Sequence, residues 1–287
     1  MNDHSRWRLE LAHDINARLL HFAGIRAVVV GGSVARGFSD ALSDLEILLF
    51  WDDAPRADVR REIATELRAK FRYPEADPGY ESAFLIRGVP VDIWHLTVAG
   101  EEAAMAVVLR EHSIDLDASN VLDTVRAGIP LRGHDLVRGW KDRVRAYPDE
   151  LAICFLQAYL PHFHLRQLNL AARRDNPTAY YHTLSDIQCS LFLILLAMNR
   201  SYFPTYKWMY QTLDRLPVGP PQLVPRLRQM FHEPPPQAAA QLRDVLAETL
   251  EIAEARFPDL DPKHAVWARY GLEQVARVYE AAMRDVT

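Results

Sequence analysis

The stretch that most constrains this chain is Val28-Val29-Val30-Gly31-Gly32-Ser33, separated by ten residues from Asp44-Leu45-Glu46-Ile47. Residues 25–30 form a short β-branched run, which predicts a buried strand. It runs into paired glycines, which let a backbone turn sharply and approach a ligand closely. Residues 44–51 (DLEILLFW) predict a second strand, alternating at its start and apolar after it. Side chains alternate along a strand, so Asp44 and Glu46 are expected to project together. Two carboxylates on one face repel unless a cation lies between them. Mg²⁺ is the natural choice, a hard ion bound by one or two carboxylates and by substrate phosphates. The amides of Gly32 and Ser33, opening a short helix, and the Ser33 hydroxyl are expected to donate to phosphate oxygens.

A third carboxylate, Asp92, lies in the apolar segment 89–97 (VPVDIWHLT), which pairs in prospect with 81–87 (ESAFLIR) around Gly88. An acid in such a strand is costly unless it is paired or metal-bound. An arginine is one partner for it. If segment 89–97 neighbours 44–50, Asp92 instead joins Asp44 and Glu46, and three carboxylates can hold two metal ions.

The predicted fold class is α+β. A small mixed sheet with helices is expected over 1–133, and an all-α helical bundle over 134–287. The first part has helical spacing over 6–23, 55–70, 100–112 and 118–126. From Asp135 onward the pattern is helical, over 135–146, 149–172, 178–200, 205–215, 221–232, 236–256 and 262–284, with Pro- and Gly-rich breaks between. Charge divides along the same line. Residues 1–135 carry 22 Asp+Glu against 15 Lys+Arg, and residues 136–287 carry 16 against 18. An acidic first half is a poor nucleic-acid surface without metal or a local basic patch. The longest apolar run, Cys189 to Met198, is far short of a membrane span, and the N-terminus shows no secretory signal. Cys154 and Cys189 sit in apolar helical stretches, as reduced core thiols of a cytoplasmic protein would.

With these motifs together, the sequence resembles the nucleotidyltransferases of the DNA polymerase β superfamily. Their signature is a hydrophobic strand, Gly-Gly/Ser, a spacer of about this length, Asp-x-Asp/Glu, and a later strand bearing an isolated Asp. The resemblance covers residues 26–97. The helical second half adds a likeness to aminoglycoside and lincosamide nucleotidyltransferases and their bacterial relatives. The resemblance implies Gly32 and Ser33 on a triphosphate, with Asp44, Glu46 and Asp92 on two Mg²⁺ ions. It also implies transfer of a nucleoside monophosphate, from ATP by preference, to a hydroxyl of a small-molecule acceptor, with release of pyrophosphate. The second motif acid is Glu46, where much of the superfamily has Asp. Protein nucleotidylation (AMPylation) and a non-catalytic nucleotide-binding role are the alternatives. Nucleic-acid tailing fits poorly, for want of a basic, aromatic-rich stripe.

Other residues carry weaker signals. Arg36 is a candidate for the triphosphate or for a salt bridge within the fold. Lys207, one of only four lysines against 29 arginines, opens a predicted helix after Tyr202-Phe203-Pro204-Thr205-Tyr206. The resemblance implies a lysine of the helical part reaching the triphosphate, so the nucleotide is expected between the sheet acids and that part. Asp186, in an apolar helix, is a candidate for substrate contact or for a base. Glu150 follows a helix-start signal and is a weaker candidate for the same roles. His162 and His164, two apart, face different ways, and His182 has no metal-site spacing. Arg226 and His232 have the Arg-x5-His spacing of a ribonuclease centre, but Pro225 and Leu227 flank the arginine and argue against one.

Overall fold

The computed structural model describes residues 1–73, 80–163 and 165–272. It is α+β and divides into two compact units. Residues Met1–Glu111 and Asp117–Ala146 form the first, and His112–Leu116 with Tyr147–Thr287 form the second. The boundary expected from sequence lies at 133/134. The chain instead keeps helix His134–Arg145 with the sheet.

The first unit holds strands β1 (Ile25–Val30), β2 (Leu45–Trp51), β3 (Lys70–Phe71), β4 (Glu81–Ile86), β5 (Val89–Thr97) and β6 (Ile129–Arg132). Its helices are α1 (Asp3–Arg18), α2 (Gly32–Arg36), α3 (Ala57–Glu66), α4 (Val98–Glu111), α5 (Leu116–Ala127) and α6 (His134–Arg145). The strands form one sheet in the order β3-β4-β5-β2-β1-β6. Every adjacent pair is antiparallel except β2 and β5, which run parallel. Helix α1 starts earlier than its apolar spacing suggests, because the Asn2 side chain caps it by accepting from the Ser5 amide at 2.8 Å.

The alternation of the strands assigns their faces. Val28, Val30, Leu45, Ile47, Leu49, Val91 and Ile93 turn to one side and pack with Leu11 and Ile15 of α1, with Leu19 at its C-terminal cap, and with Ile63 of α3. Each such side chain, fully buried, contributes about 1.5–3 kcal/mol relative to exposure. On the other face Phe50 meets Trp140 of α6 edge-on, with ring centroids 4.9 Å apart. The Trp140 indole donates to Glu102 of α4 (3.1 Å), and Lys141 donates to the Gly128 carbonyl (2.6 Å). These contacts tie α6 to the sheet. The segment Gly128–Gly133, just before the boundary expected at 133/134, contains the sixth strand, which pairs with β1. Pro130 is tolerated there because β6 is an edge strand.

The second unit contains α7 (Asp149–Tyr159), α8 (Arg166–Arg173), α9 (Pro177–Met198), α10 (Met209–Leu213), α11 (Leu223–Gln229) and α12 (Pro235–Arg256), and residues 262–272 are helical. The remainder of the helix expected over 262–284 lies outside the described residues, as does His164. The single helix expected over 149–172 is broken by a 3₁₀ turn, Leu160–His162, at Pro161, whose ring cannot continue an α-helical ladder. Helix α9 is long and apolar enough, by length and composition, to cross a membrane, and 67% of its most apolar window is buried in this unit. Its apolar residues pack with α7 and α8. Cys154 and Cys189 are free thiols, half-buried.

Candidate active site

β1 ends where the Gly31 amide donates to the Glu46 carbonyl at 3.0 Å, so the glycine turn is stitched to the start of β2. Gly32 has φ 57°, a left-handed conformation, and a Cβ there would overlap the Glu46 carboxylate. Glycine is therefore required twice at this position, by backbone conformation and by space. The Glu46 side chain lies directly on the turn.

The parallel register pairs Leu45 with Val91 and Glu46 with Asp92. Glu46 and Asp92 are thus lateral neighbours on one face. The opposite face, which Leu45 and Val91 share, is the core. Asp44 immediately precedes β2 and is half-buried, as are Glu46 and Asp92. Asp92 carries an ion pair with Arg72, at 3.1 Å, so the arginine partner considered from sequence is present. Among the described residues, no three acidic, histidine or cysteine side chains are gathered as a ready metal-holding group. The donor chemistry still suits a hard cation: all three are carboxylates. Glu46 lies on the turn, while Asp92 would have to exchange Arg72 for a metal.

Two residues of this region were not anticipated. Glu81, at the start of β4, pairs in register with Trp94 and so lies diagonally from Asp92 on the same face. Its carboxyl is pushed up from the ordinary range, first by partial burial and then by Asp92 and Asp44, with Arg72 opposing. Counting back from the Arg87-Gly88 turn in the expected hairpin would have found it. Arg8 of α1 is buried. It donates to the Ser43 carbonyl (2.6 Å) and the His4 carbonyl (2.9 Å), and so holds the loop just before Asp44. Burial lowers its pKa, and the charges of Asp40 and Asp44 oppose that shift. An arginine on the inner side of an amphipathic helix was its only sequence signal.

Two candidate ligand residues have partners within the fold. The Ser33 hydroxyl is buried and shares a hydrogen bond with the Ser39 hydroxyl, 3.1 Å away, because Ser33 faces inward from the short α2. Its backbone amide is the group left for an anion. Arg36 donates to the Gly32 carbonyl (2.9 Å) and is ion-paired with Asp123 of α5, each side chain only 9% exposed. The guanidinium braces the turn from behind rather than projecting as a free phosphate ligand.

In the second unit, Lys207 lies in a 3₁₀ turn, exposed, with its ammonium 5.4 Å from the Trp208 ring centroid. Trp208 is buried and Tyr206 is 40% exposed. Thr205, just before this turn, has φ 119°, a region a β-branched residue rarely occupies, and its buried hydroxyl finds no partner among the described residues. Such backbone costs on the order of 1–3 kcal/mol and persists only where the surroundings enforce it. Asp186 pairs one turn away on α9 with His182, at 3.3 Å, and both are exposed. Glu150 is exposed in the first turn of α7, where its charge favours the helix dipole. Arg226 makes a two-pronged contact with Glu248 at 2.7 and 2.9 Å, which accounts for it without a ribonuclease centre.

The chain matches the model of a domain of unknown function, DUF4037, over residues 115–209, a span that runs from α5 to the Lys207 turn. No curated protein matches it. Among solved structures it is similar to a nucleotidyltransferase-like protein from Exiguobacterium sibiricum 255-15. That match has 11% identity, covers 87% of this chain and 78% of the other, and has a TM-score of 0.41.

Proposed function

We propose that the chain is a nucleotidyltransferase, moving a nucleoside monophosphate from a nucleoside triphosphate, ATP by preference, to a hydroxyl of a small-molecule acceptor in the cytoplasm. The observation that carries this reading is the register of β2 and β5, which makes Glu46 and Asp92 neighbours beside the left-handed Gly32 turn. The Gly32 and Ser33 amides would hold phosphate oxygens. Asp44, Glu46 and Asp92 would hold Mg²⁺, up to two ions. The metal would neutralise triphosphate charge and help orient the phosphoryl group for in-line displacement. Asp92 is also the proposed acceptor of the hydroxyl proton. Lys207 is proposed to add a compact positive charge to the triphosphate.

The test is incubation with each labelled triphosphate, Mg²⁺ and a metabolite extract. Products are read by mass spectrometry as gains of a nucleoside monophosphate. Asp44→Asn should weaken Mg²⁺-dependent triphosphate binding while leaving the melting temperature largely unchanged. Triphosphate binding independent of divalent metal in the parent would sink the reading. Lys207→Ala should lower kcat/KM for triphosphate by about 10- to 150-fold, the equivalent of roughly 1.5–3 kcal/mol for a charge-assisted contact. An unchanged kcat/KM would make Lys207 an ordinary surface residue.

A further inference from the structure

On the core side of the sheet, away from the acids, α1, the end of α3 and the β4–β5 turn enclose an open cleft of about 300 Å³. Its floor is apolar, formed by Leu11, Ile15, Leu67 and Ile86. Three of these are at most 5% exposed and Leu11 is 7% exposed, so the floor belongs to the core. Its rim carries Arg18, Arg68 and Arg87, with Asp14 as the one acid.

The backbone under two of those arginines is informative. Arg68 has φ 51° and Arg87 has φ 51°. Arg68 stands two residues past the end of α3, just after the capping Leu67, where the Ala69 amide donates back to the Ala64 carbonyl at 2.8 Å. That is the left-handed stop position where glycine or asparagine is the ordinary choice. Arg87 is the first residue of a two-residue hairpin turn with Gly88, whose φ is 82°. Such a turn ordinarily takes Asn, Asp or Gly first. At both corners a glycine-type position is given to arginine, and both arginines border the same cleft.

The three cations differ in how they are engaged. Arg87 pairs with Asp14 at 2.9 Å, each side chain more than half exposed. Arg18 donates to the Glu66 carbonyl at 3.3 Å. The Arg68 side chain has no ion-pair or hydrogen-bond partner among the described residues. Three guanidiniums against one carboxylate leave a net charge of +2, which matches a dianion better than a monoanion. The forked donors of arginine suit the oxygens of a phosphate.

We propose that this cleft is a binding site for a small phosphate monoester with an apolar body. The phosphate sits among Arg18, Arg68 and Arg87, and the body lies on Leu11, Ile15, Leu67 and Ile86. The site is separate from the acid face and needs no metal. Asp14 competes with the ligand for Arg87.

The experiment is calorimetric titration of the full chain in EDTA, at pH 8 and low salt. The probes are phenyl phosphate, benzoate and inorganic phosphate. Phenyl phosphate is expected to bind with Kd below about 1 mM. Benzoate, with one charge, and inorganic phosphate, with no apolar body, should each bind about tenfold more weakly or worse. Arg68→Gly and Arg87→Gly should each weaken phenyl phosphate about tenfold or more. Because glycine relieves the left-handed backbone at both positions, neither variant should melt below the parent, which separates lost binding from lost fold. Asp14→Asn should tighten binding by releasing Arg87. The proposal is overturned if phenyl phosphate gives no saturable heat, if both glycine variants bind as the parent does, or if inorganic phosphate binds equally well. It is also overturned if Asp44→Asn abolishes the binding, since the probe would then sit on the acid face. None of these outcomes depends on whether the chain transfers nucleotides.

Discussion

The two faces of the sheet are made by the same strands and obey opposite rules. One face carries Leu45, Ile47, Val91 and Ile93, closed over by α1 and α3. The other carries Glu46 and Asp92 side by side, with Glu81 and the 37%-exposed Trp94 in the same region. One register sets both, because shifting a strand by a single residue exchanges its faces. The burial that drives folding on the first face therefore fixes the carboxylates on the second, and a site of mutually repelling charges is held by the apolar residues between them.

The largest test of that comparison is at the brace behind the turn. Arg36→Ala would leave Asp123 buried and unpaired, which costs roughly 3–5 kcal/mol. Urea denaturation should show that loss even without nucleotide. A variant of parental stability would mean that Arg36 is not a structural brace and would return it to the ligand side of the turn. Gly32→Val comes next. The left-handed backbone and the overlap with Glu46 predict roughly 2–4 kcal/mol of destabilisation and loss of triphosphate binding. Parental affinity in this variant would place the ligand elsewhere.

The last test concerns the core face and pH. His95 is 2% exposed, shares a 3.1 Å hydrogen bond with Ser82, and has its pKa lowered to about 3, first by burial and then by Arg60. It is neutral in the folded chain and protonates near 6.5 when unfolded. Because its folded pKa is depressed, its contribution is complete above pH 6.5 and is lost as pH falls toward 3, at up to about 1.4 kcal/mol per pH unit. His95→Gln should flatten that limb in denaturation curves recorded at pH 7, 5.5 and 4. Glu101 has the opposite sign. Burial raises its pKa to about 8, so its contribution is complete below pH 4.5 and falls as pH rises toward 8. A parent curve as steep in the His95 variant would exclude His95 as the source.

Much of this arrangement was legible in the sequence. Strand β1 and the β4–β5 hairpin follow from β-branched runs and from Gly88, and the two glycines mark the turn. The lateral meeting of Glu46 and Asp92 required one further step, that segment 89–97 adjoin 44–50, and β2 and β5 do adjoin. Strand β6 was not legible, because four residues with a proline between glycines read as a domain boundary until β1 offers its free edge. Nor was Arg8 legible. Its role depends on the Ser43 carbonyl 35 positions away, and no local pattern signals such a contact. The salt bridge considered for Arg36 is present, but its partner Asp123, 87 positions away, was not legible for the same reason.

The parallel pairing of β2 with β5 also sets a clock. The β4–β5 hairpin closes through a two-residue turn and can form within microseconds. Joining β2 to β5 must instead close the chain between Glu46 and Asp92, around α3 and β3, and that entropy is spent before any contact repays it. The two acids are therefore expected to meet more slowly than the hairpin closes. On a ribosome the same order means that Glu46 waits for β5 to emerge, so the acid pair cannot assemble on a partly synthesised chain.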